Sequence, residues 1–354
     1  MFGQIIREAR KKKKINLREL SNFTGIDQTL ISRIEREDRM PTEGQLIILA
    51  ENLSLELNEL KKEWLTEKVL SIIKYSPFAD EILAVAESRI EYLSRGDMYQ
   101  IQEFSEETLR MLEEIDHLLL RWKKKQPLSI SQKGKMEEYF DVAYTFESNR
   151  IEGNTLTLQE TKMVTVEGLT IGGKSLKEHL EAVNHQEAIS FIKDLANKNE
   201  PISKRILLEI HRLVLKEVDT VNAGVYRNVP VRISGSKHEP PQPYLLDKLM
   251  EDFFEFYRYQ EERVHPVILA AEVHERLVSI HPFIDGNGRT ARLLMNLVLI
   301  RNGYPRVNIK GDTSARMRYY QSLEHVQVDN NRLPFYQLVM DEALLALNEH
   351  LELT

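Results

Sequence analysis

The 354-residue chain contains no cysteine, which rules out a disulfide framework and any thiolate zinc site. Long apolar runs are also missing. No stretch approaches the roughly 20 uncharged apolar residues that a membrane helix needs, so no membrane association is expected. The first residues, Met1-Phe-Gly-Gln-Ile-Ile-Arg-Glu-Ala-Arg10, lack the apolar core and small-residue cleavage site of a secretory signal. A cytoplasmic location is the expectation. Internal repeats and low-complexity tracts are absent too. What is present is the 42% hydrophobic, 29% charged composition of a globular chain, long enough for two or three domains.

The net charge of −7 is unevenly spread. Residues 1–40 hold ten Lys/Arg and six Asp/Glu, which gives +4 for the head and leaves −11 for the body. A basic head on an acidic body assigns any nucleic-acid contact to the head.

Helical periodicity dominates, and the expected fold class is all-α. Residues 3–13, 17–24, 28–37 and 43–53 read as four short amphipathic helices, broken by Gly25-Ile-Asp27 and by Met40-Pro41. Residues 55–75 and 79–122 read as further helices, the second ending in the basic run Arg121-Trp-Lys-Lys-Lys125, which suits a helix C-terminus. The domain expectation is a helix-turn-helix head at 1–60, a helical connector at 61–127 and a helical body at 128–354. Within that body, Val225 to Pro243 breaks the pattern. It alternates as Val229-Pro-Val-Arg-Ile233, turns at Ser-Gly-Ser, and reads as one small β-hairpin.

In the head, Leu17 to Gly25 and Asp27 to Arg36 form a helix, a glycine turn and a second helix, an arrangement that lays a reading helix into the DNA major groove. Leu30, Ile31 and Ile34 share one face and would pack inward. Gln28, Thr29, Ser32 and Arg33 share the other and carry groups suited to base edges and phosphates. The segment resembles the helix-turn-helix domain of phage-repressor-like (Xre/Cro) proteins, carried by Ile31-Ser-Arg-Ile-Glu-Arg-Glu37, Arg39-Met-Pro41 and Leu46-Ile-Ile-Leu-Ala50. DNA is the partner this implies, and a homodimer the expected form, because one such head reads too few bases.

The chemistry concentrates in His281-Pro-Phe-Ile-Asp-Gly-Asn-Gly-Arg-Thr-Ala-Arg292, between two apolar-striped helices. Two glycines flanking Asn287 are expected to take positive φ and turn successive N–H groups toward one point, a nest for an anion at a helix N-terminus. Arg289 and Arg292, three apart, lie on one helix face and reach phosphate oxygens. Asp285 is a hard oxygen donor suited to Mg²⁺ on a polyphosphate. His281, with an ordinary pKa of about 6.5, can serve as a neutral base. Phe283 anchors the loop. Such parts suit phosphoryl or nucleotidyl transfer, where positioning and electrostatics carry most of the barrier reduction.

These twelve residues match the signature of the Fic family, His-x-Phe-x-Asp/Glu-Gly-Asn-Gly-Arg-x-x-Arg, and residues 130–342 resemble a whole Fic domain. The resemblance implies a protein adenylyltransferase that moves AMP from ATP to a Ser, Thr or Tyr hydroxyl of a target protein or of itself. By that resemblance His281 is the base and Asp285 the Mg²⁺ ligand. Gly286, Asn287, Gly288 and Arg289 hold the α- and β-phosphates, and Arg292 the γ-phosphate. Val231, Ile233 and His238 lie in the "flap" that clamps the target by strand addition. Tyr320 and Gln327 stand where relatives contact adenine, although Arg318-Tyr-Tyr-Gln321 is equally an ordinary helix face.

Upstream, Ser148-Asn-Arg-Ile-Glu152-Gly153 resembles the family's inhibitory motif, at the end of a helix over about 132–153. It implies that Glu152 takes Arg292 from the γ-phosphate, and some relatives with this motif also remove AMP. Alternatives remain: a DNA-binding transcription regulator using the body only as a nucleotide sensor, a kinase-like phosphate transfer, or transfer of another nucleotide. A zinc protease is not supported, since His274-Glu-Arg-Leu-Val278 lacks the second histidine.

Overall fold

The structure, a computed structural model, describes residues 2–94, 101–198 and 200–354. It divides into two compact units, Met1–Gly96 and Asp97–Thr354.

The first unit begins with α1 (Phe2–Lys12), α2 (Leu17–Thr24), α3 (Gln28–Glu35) and α4 (Glu43–Leu53), followed by α5 (Leu57–Ile73) and α6 (Ala79–Ser94). Local chemistry sets these boundaries. Asn16 and Glu19 form a reciprocal capping box on α2, which stops where Gly25 turns left-handed at φ 69°. Asp27 accepts the N–H groups of Thr29 and Leu30 and so starts α3. Thr42 and Gln45 repeat the capping box on α4. Phe2, Ile6, Leu20, Ile31, Ile34, Leu46 and Leu49 are buried together. Arg10 on α1 grips the Glu35 carboxylate on α3 with two bonds of 2.6 and 2.8 Å.

The second unit holds α7 (Glu106–Lys124), α8 (Ile130–Ile151), α9 (Leu158–Thr165), α10 (Leu176–Lys198) and α11 (Lys204–Leu215), then α12 (Leu246–Gln260), α13 (Pro266–Ile280), α14 (Asn287–Arg301), α15 (Thr313–Asp329) and α16 (Leu333–Glu352). At its centre α14 is buried almost all round, from Arg289 to Leu299. That is the state expected of a helix with no polar stripe for solvent. It packs on α13, α10 and α11.

Two expectations are corrected. The helix read across 79–122 is two helices, α6 and α7, and Ser105 starts the second by accepting the N–H of Thr108; residues 95–100 of that span lie outside the described residues. The hairpin read at Val225 to Pro243 has no paired strands, and no strand occurs among the described residues. Its chain is an extended loop with a turn in which Ser236 N–H donates to Ile233 O at 3.2 Å. Pro230, Pro240, Pro241 and Pro243 remove the donors a ladder would need. The all-α class holds.

Candidate active site

Pro282 cannot donate to a further turn of α13, and the helix ends at His281, whose backbone takes the left-handed conformation (φ 51°, ψ 58°). A non-glycine residue there stores strain of order 1–3 kcal/mol, and such strain collects at functional sites. The ring is held as well. A carbonyl can only accept, so the 3.2 Å contact between His281 Nδ1 and Val278 O makes Nδ1 the protonated nitrogen. Nε2 keeps its lone pair. Burial pushes the His281 pKa down to about 4, further than the Val278 bond raises it, and the Arg227 and His238 charges add to the depression. The imidazole is therefore neutral at physiological pH and competent as a base.

The loop from Pro282 to Gly286 is stapled internally. Asn287 Oδ1 accepts Phe283 N–H at 3.0 Å, and its Nδ2 donates to Phe283 O at 2.9 Å. Phe283 is fully buried and stacks on His211 with ring centres 3.6 Å apart. His211 accepts Gly224 N–H on Nδ1 (2.9 Å) and donates from Nε2 to the Asp285 carbonyl (2.9 Å). The two flanking glycines meet different demands. Gly286 has φ 78°, and a Cβ there would lie 3.3 Å from the His211 ring. Gly288 is helical rather than positive-φ, contrary to expectation. A Cβ there would stand 2.5 Å from Glu152 Oε1 and 3.1 Å from Arg292 Nη1, so the ends of those two side chains would have to shift.

Arg289 and Arg292, in the first two turns of α14, are buried, which marks them, since buried cations need partners. Arg289 lies 3.2 Å from Glu181 Oε1 and 3.4 Å from Asp285 Oδ1. Arg292 donates from Nη2 to Glu152 Oε1 at 2.7 Å and to Ser148 O at 2.8 Å, from Nε to Ser148 Oγ at 3.0 Å, and from Nη1 to Tyr319 OH at 3.4 Å. Burial alone would pull its pKa down, but Glu152 and Tyr319 beside it hold it above the usual value. Glu152 is the residue at which α8 ends, followed by Gly153 at φ 95°.

Asp285 is half exposed, and its Oδ1 accepts Gly286 N–H at 2.6 Å. Among the described residues no group of three or more His, Cys, Asp or Glu could hold a metal. A single outward carboxylate fits Mg²⁺ nonetheless, because that ion is commonly held by one or two carboxylates with substrate phosphates and water.

The remaining expected residues are more dispersed. Tyr320 donates to Ile151 O at 3.2 Å, next to Glu152, whereas Gln327 lies seven residues further along α15, about 10 Å away on the same face. Val231 and Ile233 are half buried in the 225–243 loop, and His238 Nε2 donates to Ser279 O at 2.8 Å, two residues before His281. In the first unit, Gln28, Thr29 and Arg33 are exposed on α3 and Ser32 is half buried, while Ile31 and Ile34 face the core. Sequence reasoning missed His211, Arg227, Glu181 and Tyr319. Each acts across a long sequence separation and carries no local motif.

A neutral histidine, an exposed carboxylate and two buried arginines come together at a helix N-terminus in a helical bundle. The Fic/DOC family model matches residues 201–299, and a helix-turn-helix model matches residues 6–60. A Fic domain-containing signaling protein from Bacteroides thetaiotaomicron superposes with TM-score 0.63 at 30% identity, over 68% of this chain and 96% of that one. Fic-1 (residues 134–508) from C. elegans also gives 0.63, at 27% identity over 99% and 98% of the two chains. The protein adenylyltransferase Fic of Culex quinquefasciatus is 41% identical over 202 residues, 56% of this chain and 39% of that protein. The counterpart in Nematostella vectensis is 41% identical over 205 residues, 57% and 46% respectively. The chain belongs to the Fic/DOC family. It spans less than half the length of those two curated relatives.

Proposed function

We propose that the chain is a protein adenylyltransferase restrained by Glu152, with residues 1–60 as a DNA-binding module, 61–127 as connector and 128–354 as the catalytic body. The observation that carries this reading is the neutral His281 with Nε2 unprotonated, on the same loop-and-helix segment as Arg289 and Arg292. His281 Nε2 takes the proton of a Ser, Thr or Tyr hydroxyl as its oxygen bonds to the α-phosphorus of ATP. The bond from that phosphorus to the bridging oxygen breaks, and pyrophosphate leaves. Backbone N–H groups at Gly286 to Gly288 and the Arg289 guanidinium hold the α- and β-phosphates. Asp285 would hold Mg²⁺, which supplies neutralisation of phosphate charge.

Arg292 is the intended partner of the γ-phosphate, and Glu152 with Ser148 occupies it. The loop 229–243, with Val231, Ile233 and His238, seats the target backbone as an added strand, and Tyr320 and Gln327 flank the adenine. Gln28, Thr29, Ser32 and Arg33 contact DNA in a homodimer.

His281→Ala in a Glu152→Gly background tests the reading. AMP incorporation from α-labelled ATP with Mg²⁺ should vanish, while ATP still binds by calorimetry. Labelling that survives the substitution sinks the base assignment.

A further inference from the structure

Arg227 takes no part in the transfer step itself, yet it is placed unusually. It is 4% exposed, and among the described residues no carboxylate lies within ion-pair distance of it. Its guanidinium donates only to carbonyls: Nε to His281 O at 2.8 Å, Nη1 to Val229 O at 3.0 Å and Nη2 to Pro241 O at 2.5 Å. Its own N–H donates to Pro282 O at 2.9 Å. The two outer carbonyls belong to opposite arms of the 229–243 loop, which has no ladder to join them. The other two belong to the strained turn that presents the His281 ring.

We propose that Arg227 is a positioning residue that couples the target-seating loop to His281, closing the loop's two arms and fixing the catalytic turn with a single guanidinium. This rests on the adenylyltransferase reading above. Three divergent donors in one rigid plane are what the junction requires, and lysine, with one nitrogen, cannot reach three carbonyls held apart in this way. The missing anionic partner matters as well. An uncompensated cation beside His281 favours the neutral imidazole, and a carboxylate paired to Arg227 would cancel that field. The other titratable groups facing His281 are His238 across the loop and Glu152 from α8. His238 lends a second anchor, since its Nε2 holds Ser279 O from the same loop.

The test uses the full chain carrying Glu152→Gly, which should label itself with α-labelled ATP and Mg²⁺. Adding Arg227→Met should lower the labelling rate about tenfold or more by disordering the attacking geometry. ATP affinity measured by calorimetry should stay within about threefold, because Arg227 touches no residue of the phosphate cradle. With the cation gone, the acid limb of the rate–pH profile should move up by about one pH unit. Arg227→Lys keeps the charge and loses the fork, so it should lower the rate and leave the limb in place.

A rate that does not change in either variant overturns the proposal. So does a loss of ATP affinity parallel to the loss of labelling, which would indicate general collapse of the site. If the Met variant does not fold, the Lys variant decides: a lowered rate with an unmoved limb supports coupling, and a wild-type rate refutes it. A parent chain that never labels takes down the adenylyltransferase reading together with this one, whereas a labelling parent with an indifferent Arg227 sinks the coupling alone.

Discussion

Replacing Glu152 by glycine removes one of four contacts to a buried guanidinium and leaves three. Arg292 keeps Ser148 Oγ, Ser148 O and Tyr319 OH, so the cation is not stranded and the variant should fold. A hydrogen bond to a charged group contributes about 1.5–3 kcal/mol. The Glu152 side chain is 34% exposed, so solvent screening places its bond at the lower end, about 1.5–2 kcal/mol. A γ-phosphate that must displace this bond before engaging Arg292 bears that cost, and each 1.4 kcal/mol is tenfold in rate. Glu152→Gly should therefore raise initial AMP incorporation by about ten- to thirtyfold at fixed ATP, measured as a time course with α-labelled ATP and Mg²⁺. Glu152→Gln keeps an acceptor of the same shape without the charge and should fall between the two. Labelling by Glu152→Gly equal to or below wild type would refute the reasoning.

Gly286→Ala should destabilise the second unit by about 1–2 kcal/mol, since alanine is strained at positive φ and its Cβ would press on the His211 ring; a thermal melt and loss of labelling check this. Acid should also weaken the fold. Burial depresses His211 to about 4 and holds His185 and His274 well below the ordinary value, so between about pH 6.5 and 4 the unfolded chain binds more protons. The stability from keeping them neutral is complete above pH 6.5 and is lost as pH falls. At pH 5.5 three such histidines cost roughly 4 kcal/mol as an upper bound. Urea midpoints at pH 7.5 and 5.5 that coincide would contradict this. Arg33→Ala, if Arg33 meets a phosphate, should weaken DNA binding and reduce the slope of log affinity against log salt by about one, and an unchanged slope removes Arg33 from the interface.

The legible parts of the chain were those whose cause is local. Gly25, Asp27 and Thr42 act within three or four residues, and the helix boundaries of the head follow from them. The segment 281–292 is legible for the same reason: its histidine, its loop staple and two arginines all lie in twelve consecutive residues. The misreadings came where one signal hid another. Alternation over Val229 to Ile233 suggested a strand, but four prolines between 230 and 243 withhold the donors, and the arms are joined instead by Arg227. Apolar periodicity continued past Ser105, whose capping bond starts a new helix. Tyr319, His211 and Glu181 were invisible because they meet Arg292, Asp285 and Arg289 across 27, 74 and 108 residues (319 − 292, 285 − 211, 289 − 181), and a pattern of single residues carries no distance information.

Gly288 links the proposed inhibitory contact to the proposed phosphate cradle. Its backbone is helical, so its conformation makes no demand for glycine. The space that a Cβ would fill is bounded by two side-chain ends, Glu152 Oε1 and Arg292 Nη1. If ATP binds as proposed, a phosphate oxygen approaching Arg292 over the N-terminus of α14 would enter that same space. Two anionic oxygens cannot share it, because like charges at contact distance repel strongly where water is excluded. On the proposed reading the competition would be direct, and Glu152 would need no distant rearrangement to act. Anything that draws the end of α8 away from Arg292 frees the guanidinium and the volume over Gly288 in one movement.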